Sequence, residues 1–183
     1  GVGLPHPWYT QEILHIATLV TELSNGTQTG RLLRATVEQL FLELGTAGPI
    51  GSHNYSQFHV LTTTSWIKTV WSSAVTFNMQ ISLHGPELPL LRQHDVYLTQ
   101  AFVGAGYSGA ELVRLNTCRM FLRVVSLADI TTADGRFLTN QVLAGVPSPS
   151  LRPSLDWPRQ PPQLRPSYWR LWQQALRKIF LSA

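Results

Sequence analysis

Three hydrogen-bond donors recur along one flank of a helix that is predicted for the middle of the chain. Asn116, Arg119 and Arg123 lie three and then four residues apart in the run AELVRLNTCRMFLRVV. A rotation of about 100° per residue places them within about 60° of one another. Guanidinium groups bind phosphate oxygens through paired hydrogen bonds. The spacing therefore predicts a donor stripe with two alternative uses, which are binding successive phosphates of a polyanion or pairing with acidic neighbours such as Glu38 or Glu43.

The cationic side chains are concentrated in the second half of the chain. Residues 1–91 hold three Lys or Arg and five acidic residues, whereas residues 92–183 hold eleven Lys or Arg and five acidic residues. All of the cations except Lys68 and Lys178 are arginine, and the total net charge is +4. This distribution favours a polyanionic partner. A solvated, arginine-rich surface is the alternative interpretation.

Residue types that bind metals or act as nucleophiles do not form recognisable motifs. Cys118 is the single cysteine, which excludes an internal disulfide and a Cys-based zinc site, and its apolar neighbours indicate a buried small side chain. The six histidines are scattered without metal-ligand spacing. Asp129 and Asp134 lie in the turn sequence LADITTADG, where carboxylates commonly accept backbone hydrogen bonds. The sequence predicts no metal site and no cofactor.

The elements that position these residues are predicted to be helices, because apolar residues recur at three- and four-residue intervals nearly everywhere. The glycine-rich run GAGYSG at 104–109 follows a helical pattern, so it indicates a turn rather than a phosphate-binding loop. Ser108 and Glu111 have the spacing of a capping box for the donor-stripe helix. The predicted fold class is all-α, a single helical domain of about six helices. Helices are expected near residues 7–23, 29–45, 66–77 and 89–103, from 110 onward and at the C-terminus, with a short extended piece at 78–88.

Proline density divides the last third of the chain. We expect a helical core over residues 1–146, an extended proline-rich segment over 147–166 and a C-terminal amphipathic helix over 167–183 that packs on the core. Trp157, Trp169 and Trp172 are expected to be largely buried against the preceding helices. A basic, aromatic helix can instead bind a membrane surface or nucleic acid.

The sequence has no candidate membrane span and few charged residues, and these features bear on the compartment and the surroundings of the chain. No run approaches the roughly 18 apolar residues that span a membrane, and the N-terminus has no signal-peptide pattern. With its single cysteine, the chain is expected to be intracellular, either cytoplasmic or nuclear. Charged residues make up 13% of the chain against about 25% in typical domains. This predicts that another part of a longer polypeptide covers some of the surface; no oligomeric state is predicted.

Three blocks of the sequence carry a resemblance to a known group of proteins. They are TGRLLRATVEQLFLELG, AGYSGAELVRLNTCRMFLRVVSLADITTADGRFL, and WPRQP followed by WRLWQQALR. Over roughly His6 to Leu176 the chain resembles the region that follows the polymerase domain in reverse-transcriptase-like proteins of protist, non-LTR-like retroelements. The resemblance implies a thumb-like or connector segment whose partners are the rest of the polymerase and an RNA or DNA primer-template.

One difference from a reverse transcriptase bears on whether this segment can be an enzyme. Such an enzyme holds two metal ions on paired aspartates, and this chain has no Tyr-x-Asp-Asp motif or adjacent aspartate pair. The segment is therefore predicted not to be an enzyme by itself. The alternative is a protein-interaction or packing domain whose arginines are structural. The resemblance implies that Arg31, Arg34, Arg119, Arg123 and Arg136 contact the nucleic-acid backbone. Asn116 is expected to contact it too, because Asn116 belongs to the donor stripe.

Overall fold

Helices make up the regular structure of the computed structural model, which describes residues 6–83, 88–149, 151–159 and 161–181. Within these residues there are nine α-helices, one short 3-10 helix at His59–Leu61 and no β-strand, only isolated antiparallel bridges such as Ile50 with Ile81. The all-α prediction is confirmed. The helices are α1 Pro7–Ser24, α2 Gln28–Leu44, α3 Tyr55–Phe58, α4 Trp66–Thr76, α5 Leu98–Gly104, α6 Gly109–Leu122, α7 Leu127–Ile130, α8 Asn140–Ala144 and α9 Pro166–Leu181.

The chain is divided into two compact units. The first unit comprises residues 1–40 and 48–87, and the second comprises residues 41–47 and 88–183. Helix α2 therefore contributes its last turn to the second unit. The boundaries predicted at residues 146 and 166 stay predictions. Among the described residues, no helix combines the length and the hydropathy that a membrane crossing requires.

The first unit is built around the packing of α1 against α4. Ile16 and Leu19 of α1 and Trp71 of α4 are buried, which agrees with the predicted apolar period. Ile13 and Val20 follow the same apolar period but are exposed, at 54% and 45%. The buried face of α1 is thus narrower than its sequence period suggests.

The second unit is built around α6, which packs against α9 and α5. Trp172 of α9 is fully buried, and its indole N–H donates to the Val142 carbonyl at 3.0 Å. This confirms the prediction for Trp172. Trp157 and Trp169 are buried to an intermediate degree, so most of each side chain is covered, and Trp157 packs against a buried cluster that includes Leu42 and Leu88. Trp169 lies over Gly145, where a Cβ atom would come within 2.7 Å of the indole ring.

Two local predictions, the start of α5 and the capping of α6 by Ser108, are wrong. The helix predicted for residues 89–103 begins only at Leu98, because the Asp95 carboxylate accepts from the backbone N–H groups of Leu91, Val96 and Ala128. Such local acceptors compete with helix formation. The Ser108 side chain makes no capping hydrogen bond at the start of α6. Part of the predicted extended piece, residues 84–87, lies outside the described residues.

Candidate nucleic-acid interface

Arg119, the centre of the predicted donor stripe, lies in the interior of the second unit. Its side chain has no solvent exposure. Nε donates to Asn116 Oδ1 at 2.8 Å, and Nη1 donates to the Val124 carbonyl at 3.2 Å. Nη2 donates to the carbonyls of Leu42 and Glu43. The guanidinium group therefore has protein acceptors on all three nitrogens and cannot reach a phosphate.

The C-terminus of α2 explains why an arginine is buried here. The last carbonyls of a helix have no partner within the helix, and they carry partial negative charge that favours a cation. Leu42 and Glu43 belong to this last turn. Gly45 follows with φ +67°, and a Cβ atom there would lie 2.6 Å from Arg119 Nε. Burial lowers the pKa of Arg119 to about 9, while the Asp129 charge acts in the opposite direction, so the group is charged at neutral pH.

Asn116 belongs to the same buried network. It is 8% exposed, and its amide donates to the Glu43 carbonyl at 2.9 Å. The expected contact with a nucleic-acid backbone is therefore wrong for Asn116 and Arg119, since both side chains are buried. The alternative, in which these side chains pair within the protein, agrees better with the structure. The partners of Arg119 on α2 are, however, the backbone carbonyls of Leu42 and Glu43 and not the carboxylates of Glu38 or Glu43.

Arg123 and Arg136 remain at the surface of the second unit. Arg123 is exposed and ends α6 in the left-handed conformation, with φ 57° and ψ 45°. The helix has stopped at that point, so Arg123 does not continue the flank of Arg119. Arg136 is exposed in the turn after α7, where its backbone N–H donates to Asp134 Oδ1 at 3.2 Å. Hydrogen bonds from the Thr132 hydroxyl and then from this N–H lower the pKa of Asp134.

Arg31 and Arg34 lie on the part of α2 that belongs to the first unit. Arg31 is exposed. Arg34 is half-buried and lines a cavity of about 480 Å³ with Val20, Leu23 and other residues of the same unit. Of the six predicted residues, the structure brings Asn116 and Arg119 into direct contact.

Arg152 is a buried structural residue that the sequence did not reveal. Its Nε lies 3.0 Å from Asp129 Oδ2, and both side chains are at most 4% exposed. Its Nη2 donates to Ser126 Oγ at 3.0 Å. Asp129 also accepts from the backbone N–H groups of Val125 and Ser126, completing a capping box at the start of α7. The Ser-x-x-Asp spacing at 126–129 could have predicted the capping box. It could not have predicted Arg152, which lies 23 residues after Asp129 in the sequence.

Arg92 has a similar role beside α7. Its guanidinium group donates to Thr131 Oγ1 at 3.1 Å and to the carbonyls of Ala128 and Thr132 at 3.2 and 2.9 Å. Like Arg119 and Arg152, it donates hydrogen bonds to backbone carbonyls of the second unit. The expected backbone-binding role of Asp129 is confirmed, although Asp129 lies in the short helix α7 rather than in a turn.

The other arginines of the second unit face solvent. Three acidic residues of that unit are exposed, Glu111, Asp134 and Asp156, against seven arginines. None of these seven guanidinium groups has a hydrogen bond or ion pair with a described residue. The second unit thus presents an excess of unpaired positive charge. The seven exposed arginines are Arg114, Arg123, Arg136, Arg159, Arg165, Arg170 and Arg177.

Groups that could support catalysis are dispersed or buried. Within the described ranges, no three His, Cys, Asp or Glu side chains come together as metal ligands. Cys118 is fully buried, and burial raises the pKa of its thiol to about 12. The thiol is therefore protonated at neutral pH, as expected of a core side chain. No protein-family model, curated protein or solved structure matches the chain.

Proposed function

We propose that the chain is a non-catalytic segment of a retroelement reverse transcriptase, thumb-like or a connector, that contacts the nucleic-acid backbone through exposed arginines. We assign this role to Arg31, Arg123 and Arg136. Arg34, which lines the cavity of the first unit, is assigned to it as well. Its partners are an RNA or DNA primer-template and the remainder of the parent polymerase. The proposal rests on the resemblance of the three sequence blocks and on the surface charge of the second unit.

The surface charge is the observation that carries the proposal. Seven exposed arginines against three exposed acidic residues give this unit a positive surface. Fixed cations of this kind attract phosphate backbones and release their condensed counterions. Arginine suits such contacts because its planar fork binds two phosphate oxygens at once.

The test is the salt dependence of binding to a mixed-sequence DNA duplex and to the RNA–DNA hybrid of the same sequence. The variant Arg123→Gln/Arg136→Gln should bind more weakly, with a slope against salt that is shallower by about 0.9 for each lost duplex DNA contact. The loss should be similar for unrelated duplex sequences, because backbone contacts do not specify bases. Arg123→Lys/Arg136→Lys keeps the charge and should restore most of the slope. An unchanged slope in the Gln variant would remove these two residues from the interface.

The alternative function is a protein-interaction or packing domain whose arginines are structural. It is favoured by one observation, the use of Arg92, Arg119 and Arg152 to bind carbonyls and a carboxylate inside the second unit. A domain of this kind should show no salt-dependent duplex binding by the intact chain. Arginine substitutions should then change only the free energy of unfolding.

A further inference from the structure

Helix α9 presents a polar outer face that carries arginine and no acid. Its exposed side chains after Pro166 are at positions 167, 170, 174, 177 and 178, which follow the three- and four-residue spacing of one helix face. The helix contains no Asp or Glu. We call Ser167, Arg170, Gln174 and Arg177 the outer face of α9.

The opposite side of α9 is already occupied. Trp172, Ala175 and Leu176 are fully buried, and Trp169 meets Phe121 of α6 edge to face with ring centroids 5.5 Å apart. A helix that binds a lipid surface inserts its apolar side between the acyl chains. Since the apolar side of α9 is packed within the second unit, the outer face can contribute only charge and hydrogen bonds.

The spacing of the outer face suits a phosphate backbone. Arg170 and Arg177 are two helical turns apart, or about 10 Å along the axis at a rise of about 1.5 Å per residue. A duplex presents a phosphate about every 3.4 Å of axis on each strand, so two flexible guanidinium groups at this separation can reach phosphates about three steps apart. Gln174 lies between them and adds a neutral donor.

The same face lacks what recognition of single strands requires. Proteins that bind single strands without sequence preference stack bases on exposed aromatic rings, and none of the four outer-face residues is aromatic. The neighbouring Lys178 has its Nζ 5.2 Å from the centre of the Tyr107 ring. Because Lys178 already lies over this aromatic ring, it is not counted among the contacts of the outer face.

We propose that the outer face of α9 binds the phosphate backbone of double-stranded nucleic acid without reading its bases. This inference rests on the proposed function, and it adds a site made by Arg170 and Arg177 that the sequence blocks did not assign. It also specifies a duplex as the partner, in preference to a single strand or an anionic membrane.

The experiment measures binding of the intact chain to three probes over a range of salt concentrations. They are a mixed-sequence DNA duplex, one of its single strands, and vesicles that contain phosphatidylserine. The test variants are Arg170→Gln, Arg177→Gln and the double variant. Arg159→Gln removes one exposed charge outside α9, and Gln174→Ala changes the same face without altering its charge. Thermal unfolding midpoints close to that of the wild type show that each variant is folded.

The proposal expects the duplex to bind more tightly than the single strand, with weak vesicle binding. Each single Gln variant at 170 or 177 should make the duplex salt slope shallower by about 0.9, and the double variant by about twice as much. Arg159→Gln should leave the slope unchanged. Wild-type slopes retained by Arg170→Gln, by Arg177→Gln and by the double variant would overturn this site while the proposed function stands. Preference for the single strand or for vesicles would overturn the choice of partner, and no duplex binding by the wild type would overturn both proposals.

Discussion

Arg119 and Arg123 are four residues apart in the sequence, yet one is fully buried and the other is exposed. The difference comes from their surroundings. Arg119 lies on α6 beside the unpaired carbonyls at the end of α2, whereas Arg123 follows the last turn of α6 with a left-handed backbone. The periodicity correctly grouped Asn116 with Arg119. It did not reveal that their acceptors Leu42 and Glu43 lie 73 to 77 residues away in the sequence.

Replacing Arg119 tests its structural role. Arg119→Met has a similar bulk but removes every donor, leaving the buried oxygens of Leu42, Val124 and Asn116 without a partner. Each such loss costs about 1–3 kcal/mol, so the free energy of unfolding should fall by at least about 3 kcal/mol in denaturant titrations. Arg114→Met is the matched control, because Arg114 is exposed on the same helix. It should change stability by less than about 0.5 kcal/mol. Equal stability of the two variants would contradict the buried network.

The thiol of Cys118 predicts a loss of stability at alkaline pH. Its pKa is 9.0 in an unperturbed chain and about 12 in the folded protein, because burial disfavours the thiolate. Between these values the unfolded chain releases a proton that the native state retains, so stability falls as pH rises above 9. Relative to Cys118→Ala, the wild type should lose up to about 1.4 kcal/mol per pH unit in this range. Unfolding curves of the two proteins between pH 8 and 10 measure the difference, and parallel pH dependences would show that the thiol is not buried in solution.

At the scale of elements, the amphipathic helices were predictable and the segments between them were less so. The expected bounds of α1, α2, α4 and α9 and the expected start of α6 agree with the structure to within a few residues, since each has a clear apolar period. The helix expected at residues 89–103 failed because Asp95 binds three backbone N–H groups. The capping box was predicted at Ser108 and occurs at Ser126, where Arg152 fixes the carboxylate of Asp129. Such tertiary partners leave no trace in local sequence periodicity.

The two glycines that follow α1 and α2 form a matched pair for testing the end of α2. Gly26 has φ +61° and open space where an added methyl group would lie, whereas Gly45 has φ +67° and would place a Cβ atom 2.4 Å from Thr99 Oγ1. Gly26→Ala should cost about 1 kcal/mol, the usual penalty for left-handed backbone. Gly45→Ala adds a clash with Thr99 and Arg119 and should cost about 1–3 kcal/mol more. Similar thermal midpoints for the two variants would argue against close packing of Arg119 on this turn.

At the scale of the whole molecule, the chain forms two compact units whose exposed charge differs. The second unit holds the seven exposed arginines and the α6–α9 pair, while exposed charge in the first unit is limited to Arg31 and Glu38 among its described residues. The charge asymmetry of the sequence survives folding, because only Arg119 and Arg152 of the arginines are buried. The all-α class followed from the apolar periods, but the division into two units did not.

Removal of residues 147–183 tests how far the second unit depends on its C-terminal part. The truncation deletes Trp172 and Leu176, which pack within this unit, and Arg152, which pairs with Asp129. Phe102 and Phe121, whose rings meet those of Trp172 and Trp169, would then lose these apolar neighbours and become more exposed. We expect lower solubility and increased binding of a hydrophobic dye. A truncated chain that remains monodisperse and equally stable would show that α9 is an appendage.

The most direct test of nucleic-acid binding is the slope of duplex affinity against salt concentration for the unmodified chain, plotted on logarithmic axes. If Arg123, Arg136, Arg170 and Arg177 each neutralise one phosphate of duplex DNA, the slope should be about −3.6 or steeper, at about −0.9 per contact. It should be nearly the same for unrelated duplex sequences. A slope near zero, or no saturable binding at low salt, would contradict the proposed function and leave the packing domain with structural arginines as the function of this chain.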